Sequence, residues 1–333
     1  MIQITKKSLS GYRFIDLFAG IGGFRVALES FGAKCVYSNE WDKHAQETYK
    51  LNFNEIPEDD ITQVNEKNIP DHDILCAGFP CQAFSISGKQ HGFSDSRGTL
   101  FFDVARIVKE KKPAVVFLEN VKNFATHDNG KTLNVVKDIM SELGYTLQYR
   151  VLNPVNYGIP QKRERIYIVC FRNDIDSKRF SFPEPFELNK FVEDFLINEK
   201  ETNNYDITDL IVNRTDLTLN NKANTKNNSN TTIRVGSVGK GRQGERIYSP
   251  KGVAITLSAY GGGAFAKTGG YLINGKTRKL HPRECARLMG FPDTFKLNPS
   301  QNQAYKQLGN SVVIDVLQLI TKEISNVLNS NNT

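Results

Sequence analysis

The chain has 333 residues, 39% of them hydrophobic and 10% aromatic, with 25 Gly and 12 Pro, which is enough apolar material for one large domain or two ordinary ones. It holds no run of eighteen apolar residues, its N-terminus lacks a secretory apolar region, and its five cysteines are irregularly spaced. A membrane span, a disulfide framework and a metal cluster are therefore not expected, and a reducing cytoplasm is. The net charge of +7 is concentrated: residues 231–290 carry eleven Lys and Arg against Glu245 and Glu284, whereas residues 1–230 carry 29 against 31 acidic residues. A phosphate-rich partner at that segment is the physical reading, and a solvated basic face is the alternative.

In chain order, short β-rich runs alternate with helical patterns over the first 180 residues. Strands are expected at 13–18, 34–39, 73–77, 114–119, 145–155 and 165–171, and helices at 23–31, 43–52, 100–111 and 131–143. Gly144 follows the fourth helix as a C-cap. This alternation predicts an α/β fold with a mostly parallel sheet and helices on both faces. Pro183 and Pro185 close the region. Residues 219–232 are rich in Asn, Thr and Ser and read as a loop or linker. Beyond them lies a Gly-rich basic segment with β-like pieces at 254–257 and 270–273, the texture of a small β-rich second domain. A final amphipathic helix is expected at 312–328.

Several motifs carry chemistry. Cys81 follows the apolar run 74–77 and the pair Gly78 and Pro80, so it falls on a loop at a strand's carboxyl end. Cys35, Cys76 and Cys170 lie inside apolar runs and read as small buried hydrophobes. The strand ending at Phe18 runs into Gly20, Gly22 and Gly23 and then a helix, which lets a nucleotide-bearing ligand approach the backbone. Glu40 lies twenty residues after Gly20, where a carboxylate would hold ribose hydroxyls. The spacing departs from Gly-x-Gly-x-x-Gly, which favours a single nucleoside over a dinucleotide. Glu119 closes the strand after 114–118, at the same sheet edge as Cys81, and helix capping is its competing role. Arg163 and Arg165 precede or open the strand 165–171, where ordinary surface charge is the alternative. Asn310 and Ser311 join a turn to the last helix and could simply cap it.

Taken in order, Asp16 to Gly20, Pro80-Cys81-Gln82, Glu119-Asn120-Val121, residues 161–165 and Gly309-Asn310 resemble the motifs of the DNA (cytosine-5) methyltransferase family over nearly the whole chain. The resemblance implies a fold of the S-adenosylmethionine-dependent, Rossmann-like methyltransferase type with a small target-recognition domain. It implies a catalytic and cofactor-binding domain at 1–193, completed by 310–333, with target recognition at 194–281 and a hinge region at 282–309. The catalytic residues would be Cys81, as nucleophile at carbon 6 of cytosine, Glu119 at the ring N3, Arg165 at O2, and Arg163 in support of the catalytic loop or substrate. S-adenosylmethionine would be held by Phe18, Gly20, Gly23, Glu40, Trp41, Asp60, Ile61, Phe79, Leu100, Asn310 and Val312, with S-adenosylhomocysteine as product and no metal. The partner would be double-stranded DNA, bound through Ser85, Ser87, Lys89, Arg97, Gln243, Glu245, Arg246, Thr256, Ser258, Tyr260 and Gly263. Residues 85–97 would close as a lid over a flipped-out base, with Ser87 and Gln243 entering the vacated space.

The recognition segment is similar to that of bacterial members that read GCGC, which implies methylation of the inner cytosine nearest the 5′ end. Arg242 and the Asn-rich stretch are where affinity or flanking preference would differ. The family also implies a monomeric bacterial cytoplasmic enzyme of a restriction–modification system, acting on the site of a cognate endonuclease without a stable complex. Three other readings compete. A tRNA substrate is disfavoured by the long recognition segment. A non-catalytic nucleic-acid-binding module is disfavoured by Cys81, Glu119 and Arg165 together, and a dinucleotide oxidoreductase by the glycine spacing.

Overall fold

The computed structural model describes residues 8–80, 100–202, 205, 218–219 and 230–331. The chain divides into two compact units, one of Met1–Leu152, Glu164–Glu184 and Val316–Thr333, the other of Asn153–Arg163 and Pro185–Asp315. Among the described residues no helix is long and apolar enough to cross a membrane.

The first unit is built on a six-stranded sheet. Its strands are β1 (Arg13–Leu17), β2 (Lys34–Asn39), β3 (Ile74–Ala77), β4 (Val115–Val121), β5 (Tyr145–Leu152) and β6 (Arg165–Arg172), in the order β2-β1-β3-β4-β6-β5. β1 to β4 run parallel, and β6 lies antiparallel to both β4 and β5. Helices α1 (Gly23–Ser30), α2 (Lys43–Phe53), α3 (Leu100–Lys111) and α4 (Lys131–Glu142) alternate with the strands, and α7 (Ile314–Ser330) contributes all but its first two residues.

The parallel strands are buried on both faces, so they read as near-continuous apolar runs. Ile15, Leu17, Leu75, Ala77, Val116 and Leu118 share one face with Val104, Val108, Val136 and Met140 of α3 and α4. Phe117 points to the opposite face and meets Phe24 of α1 edge-on at 5.2 Å. Helices therefore cover both faces, as the alternation predicts. β5 ends at Leu152, short of the expected residue 155, because Asn153 opens a turn with Pro154 at its first position.

The second unit holds a five-stranded sheet in the order β11-β10-β9-β8-β7. Its strands are β7 (Thr218–Leu219), β8 (Arg234–Ser237), β9 (Arg246–Tyr248), β10 (Gly270–Ile273) and β11 (Lys276–Lys279). A small core of Ile233, Val235, Val238, Ile247 and Phe265 fills it. The strand expected at 254–257 is not formed: Ala254 makes one isolated bridge to Gln161, and the chain then leaves the ladder. Helices α5 (Pro282–Leu288) and α6 (Gln301–Asn310) follow. Glu284, fully buried in α5, takes a two-pronged bond from Arg278, both N···O distances 2.7 Å, so the charge that burial would penalise is met in place. The last helix begins at Ile314, leaving Val312 in the preceding turn. Most of the Asn-rich stretch lies outside the described residues.

Candidate active site

The carboxyl ends of β1, β2, β3 and β4 gather the chemistry-bearing residues of the first unit. After β1 the backbone turns left-handed at Phe18 (φ 55°), Gly20 (φ 56°) and Gly22 (φ 88°) before α1 begins at Gly23. At Gly22 the reason is steric as well as conformational: a Cβ there would sit 2.3 Å from the Phe53 ring at the end of α2. Glu40, at the end of β2, braces this turn. Its Oε2 accepts from the Gly20 amide and its Oε1 from the Asp42 amide, both at 2.8 Å. Burial raises the Glu40 pKa, and those two amide bonds pull it back. Each carboxylate oxygen keeps a second lone pair for a ligand hydroxyl. Trp41, next in the chain, is 76% exposed, so its ring face is available for stacking.

Asp60 and Ile61 form a neighbouring corner. The Asp60 carboxylate caps the turn Ile61–Gln63 by accepting from the Thr62 amide at 3.0 Å, and Ile61 is buried. Arg106 of α3 holds this corner from behind, donating to the carbonyls of Ile61 (2.6 Å) and Val64 (2.8 Å). Sequence reasoning passed over Arg106, since nothing local marks a helix residue 45 positions away as the support of a turn.

After β3, Phe79 is buried against the rings of Phe101 (5.7 Å) and Phe124 (5.5 Å). Its carbonyl accepts a hydrogen bond from Asn120 Nδ2 at 2.8 Å. That bond ties the end of β4 to the segment leading into Cys81. Glu119 and Arg165 are set by the ladder between β4 and β6: Glu119 pairs with Tyr167, so Arg165, two residues earlier, is its diagonal neighbour on the same face. Arg165 Nε lies 3.2 Å from Glu119 Oε1, both side chains largely buried. The other carboxylate oxygen lies where a Cβ on Gly78 would be 3.9 Å away. A carboxyl group and a guanidinium thus stand together, the carboxyl beside Gly78, which precedes Cys81 by three residues in the sequence. Leu100 opens α3. Cys81, Ser85, Ser87, Lys89 and Arg97 lie outside the described residues. Cys35, Cys76 and Cys170 are buried, and burial pushes the Cys35 thiol up to about 12 and raises the other two as well.

The sequence profile of the C-5 cytosine-specific DNA methylases matches residues 12–326 of this chain. The chain belongs to that family. The methylase is 68% identical to Type II methyltransferase M.HhaI of Haemophilus parahaemolyticus over 329 residues, 99% of each chain. It is 43% identical to Type II methyltransferase M.HaeII of Haemophilus aegyptius, over 96% of this chain and 94% of that one. Among solved structures it resembles the Dnmt2 methyltransferase of S. pombe, with a TM-score of 0.71, 21% identity and coverage of 97% of this chain and 100% of the other. That likeness concerns the fold.

In the methylase's second unit, residues 239–246 and 256–266 form two loops that cross at glycines. A Cβ on Gly244 would lie 2.0 Å from the Gly262 carbonyl oxygen, and one on Gly263 would lie 2.6 Å from the Gly244 oxygen. Backbone lies on backbone there, and the Phe265 amide donates to the Gly244 carbonyl at 2.8 Å. Arg242, Gln243, Thr256, Ser258 and Tyr260 consequently line one hollow of about 310 Å³. Tyr260 is 73% exposed. Arg246 Nε donates to the Gly241 carbonyl at 3.0 Å, which steadies the side chain and, among the described residues, leaves its two Nη groups uncommitted. Glu245 accepts from the Arg242 amide at 2.9 Å and so shapes its own loop. Arg163, expected to support the catalytic loop or substrate, is buried in this unit with its guanidinium on backbone carbonyls. Asn310 is exposed at the end of α6, and Val312 is buried.

Proposed function

We propose that this methylase transfers a methyl group from S-adenosylmethionine to carbon 5 of a flipped-out cytosine in duplex DNA, within GCGC at the inner cytosine nearest the 5′ end. The observation that carries the reading is the Glu119–Arg165 pair beside Gly78, three residues before Cys81. Carbon 5 of cytosine is a poor nucleophile. Addition of the Cys81 thiolate to carbon 6 forms a carbon–sulfur bond and turns the ring into an enamine whose electron density sits on carbon 5. Glu119 hydrogen-bonds N3 and supplies a proton as negative charge develops there, while Arg165 binds the ring O2. Once carbon 5 carries the methyl group, loss of its proton to water and return of the N3 proton to Glu119 expel the Cys81 sulfur as thiolate and restore the aromatic ring.

S-adenosylmethionine supplies the methyl group as a sulfonium. The left-handed turn through Gly20 and Gly22, and the braced carboxylate of Glu40, fit a nucleoside with ribose hydroxyls. Glu40 would take those hydroxyls. Phe18, Gly20, Gly23, Trp41, Asp60, Ile61, Phe79, Leu100, Asn310 and Val312 would complete the binding set, with Trp41 against the adenine. The chemistry asks for no metal. Gln243, Arg246, Thr256, Ser258, Tyr260 and Gly263 would read or contact the duplex, Arg246 taking a guanine with its Nη groups. Glu245 would hold the reading loop in shape. Ser85, Ser87, Lys89 and Arg97 would bind the duplex as the lid closes. We place the enzyme, as a monomer, in the bacterial cytoplasm as the modification half of a restriction–modification system whose endonuclease acts on the same site.

Labelled S-adenosylmethionine incubated with duplexes containing or lacking GCGC, and with tRNA alongside, tests the proposal. Label is expected in the GCGC duplex. Label in tRNA alone would overturn the substrate, and equal labelling of all duplexes would overturn the specificity. The Cys81→Ala variant is expected to lose transfer while still binding the cofactor, and normal turnover by it would sink the mechanism.

A further inference from the structure

Arg163 is 2% exposed, yet it carries a full positive charge. Its Nη1 donates to the Leu257 carbonyl at 3.0 Å, and its Nη2 to the carbonyls of Gly309 (2.8 Å) and Ser311 (2.6 Å). Leu257 sits between Thr256 and Ser258 of the loop assigned above to DNA. Gly309 and Ser311 flank Asn310, assigned above to the cofactor. One planar guanidinium therefore bonds to two functional segments some fifty residues apart in sequence.

A second observation, independent of Arg163, joins the same segments. A Cβ on Gly309 would lie 2.3 Å from the Ala259 nitrogen and 2.4 Å from the Ser258 carbonyl carbon. Only glycine lets the end of α6 rest directly on that peptide. The strip on which Arg163 sits is fixed to the same loop: Gln161 bridges Ala254, the Lys162 amide donates to the Ala254 carbonyl at 2.9 Å, and Thr256 Oγ1 donates to the Lys162 carbonyl.

We infer that Arg163 is a positioning residue that locks the DNA-reading loop to the turn at Asn310, so that the two move as one body. The inference rests on the function proposed above. Its consequence is a coupling free energy: a duplex that fixes the reading loop also fixes the turn at Asn310, so cognate DNA tightens cofactor binding and the cofactor tightens DNA binding by the same factor. Lysine keeps the charge but offers a single ammonium, which cannot span three carbonyls in the fork geometry of arginine.

The test is the affinity of S-adenosylhomocysteine, measured by calorimetry without DNA, with a GCGC duplex, and with a duplex changed at one base. It is run on the wild-type chain, Arg163→Lys and Gly309→Ala, each first shown to unfold in one cooperative transition. In the wild type the GCGC duplex is expected to tighten binding at least about fivefold, the lower end of usual site–site couplings, and the altered duplex to do so far less. In each variant the ratio is expected to fall below about twofold, whatever its affinity without DNA. Should one variant fail to fold, the other decides. A folded variant that keeps the wild-type ratio overturns the inference, as does a wild-type chain that binds both ligands without coupling. A wild-type chain that binds neither the duplex nor S-adenosylhomocysteine overturns the proposed function instead.

Discussion

The strand-end site of the first unit and the loop site of the second solve the same problem of holding side chains in place by opposite means. Glu119 and Arg165 are placed by ladder register, with every residue from Val115 to Val121 paired to β6. Their surroundings are buried. Gln243 and Tyr260 are placed by two loops that touch through glycine backbone, and Tyr260 stands mostly in solvent. A register cannot drift without turning every side chain of a strand to the other face. A glycine crossing fixes the loops' paths while leaving the side chains on them free to differ. On the proposed function, chemistry would sit on the part that tolerates little change, and sequence reading on the part that tolerates much.

The sharpest break of this contrast is Glu119→Gln, which keeps shape and burial but removes the proposed proton donor. Its turnover is expected to fall by about 10² to 10⁴-fold, with duplex affinity little changed, in single-turnover methyl-transfer assays. Arg246→Ala probes the loop site. It should cost about 1–3 kcal/mol of duplex binding and relax discrimination at one base position, as read by competition with singly altered duplexes. An unchanged preference would remove Arg246 from the reading set.

The third concerns the strand site's rigidity. Asp16 on β1 is buried at 1% exposure, and burial pushes its pKa up to about 8, against the pull of Arg25. An acid whose folded pKa is raised contributes stability that is full below its unfolded value and is lost progressively until pH passes the folded value. The wild type is therefore expected to lose stability relative to Asp16→Asn by roughly 2–3 kcal/mol between pH 6 and 9, most of it below pH 8, read by denaturant titration. Parallel pH profiles for the two proteins would refute this. The smallest effect is at the loop rim. Arg242 is exposed beside Gln243, and Arg242→Ala should lower the slope of log affinity against log salt by about 1, in fluorescence anisotropy with duplex DNA.

The sheet was legible in the sequence because parallel strands bury both faces and so spell themselves out in Val, Ile, Leu and Phe. The expected strand at 34–39 and helix at 100–111 match β2 and α3 end for end. Glu119 was legible for the same reason, since it interrupts such a run at its end. The strand expected at 254–257 failed because the pattern there serves a different partner: Ala254 bridges Gln161 once, and Thr256 and Leu257 then bond to Lys162 and Arg163. Contacts of that sort join segments about ninety residues apart, and no local periodicity encodes them. The supports of Asp60 and Phe79, namely Arg106 and Asn120, were hidden likewise. What each side chain touches is a property of the closed fold, not of its neighbours in sequence.

The brace between Glu40 and the Gly20 amide has a thermodynamic consequence for whatever enters the turn. The brace is made by the chain's own groups, so a ligand accepted by the turn would find its cradle supported and lose little affinity to ordering it. Ligand hydroxyls taken by Glu40, as proposed, would add to a carboxylate already oriented by two amides, with the entropy of fixing that side chain spent during folding. Binding at this corner should accordingly resemble a key entering a cut lock, with association limited by encounter and not by rearrangement.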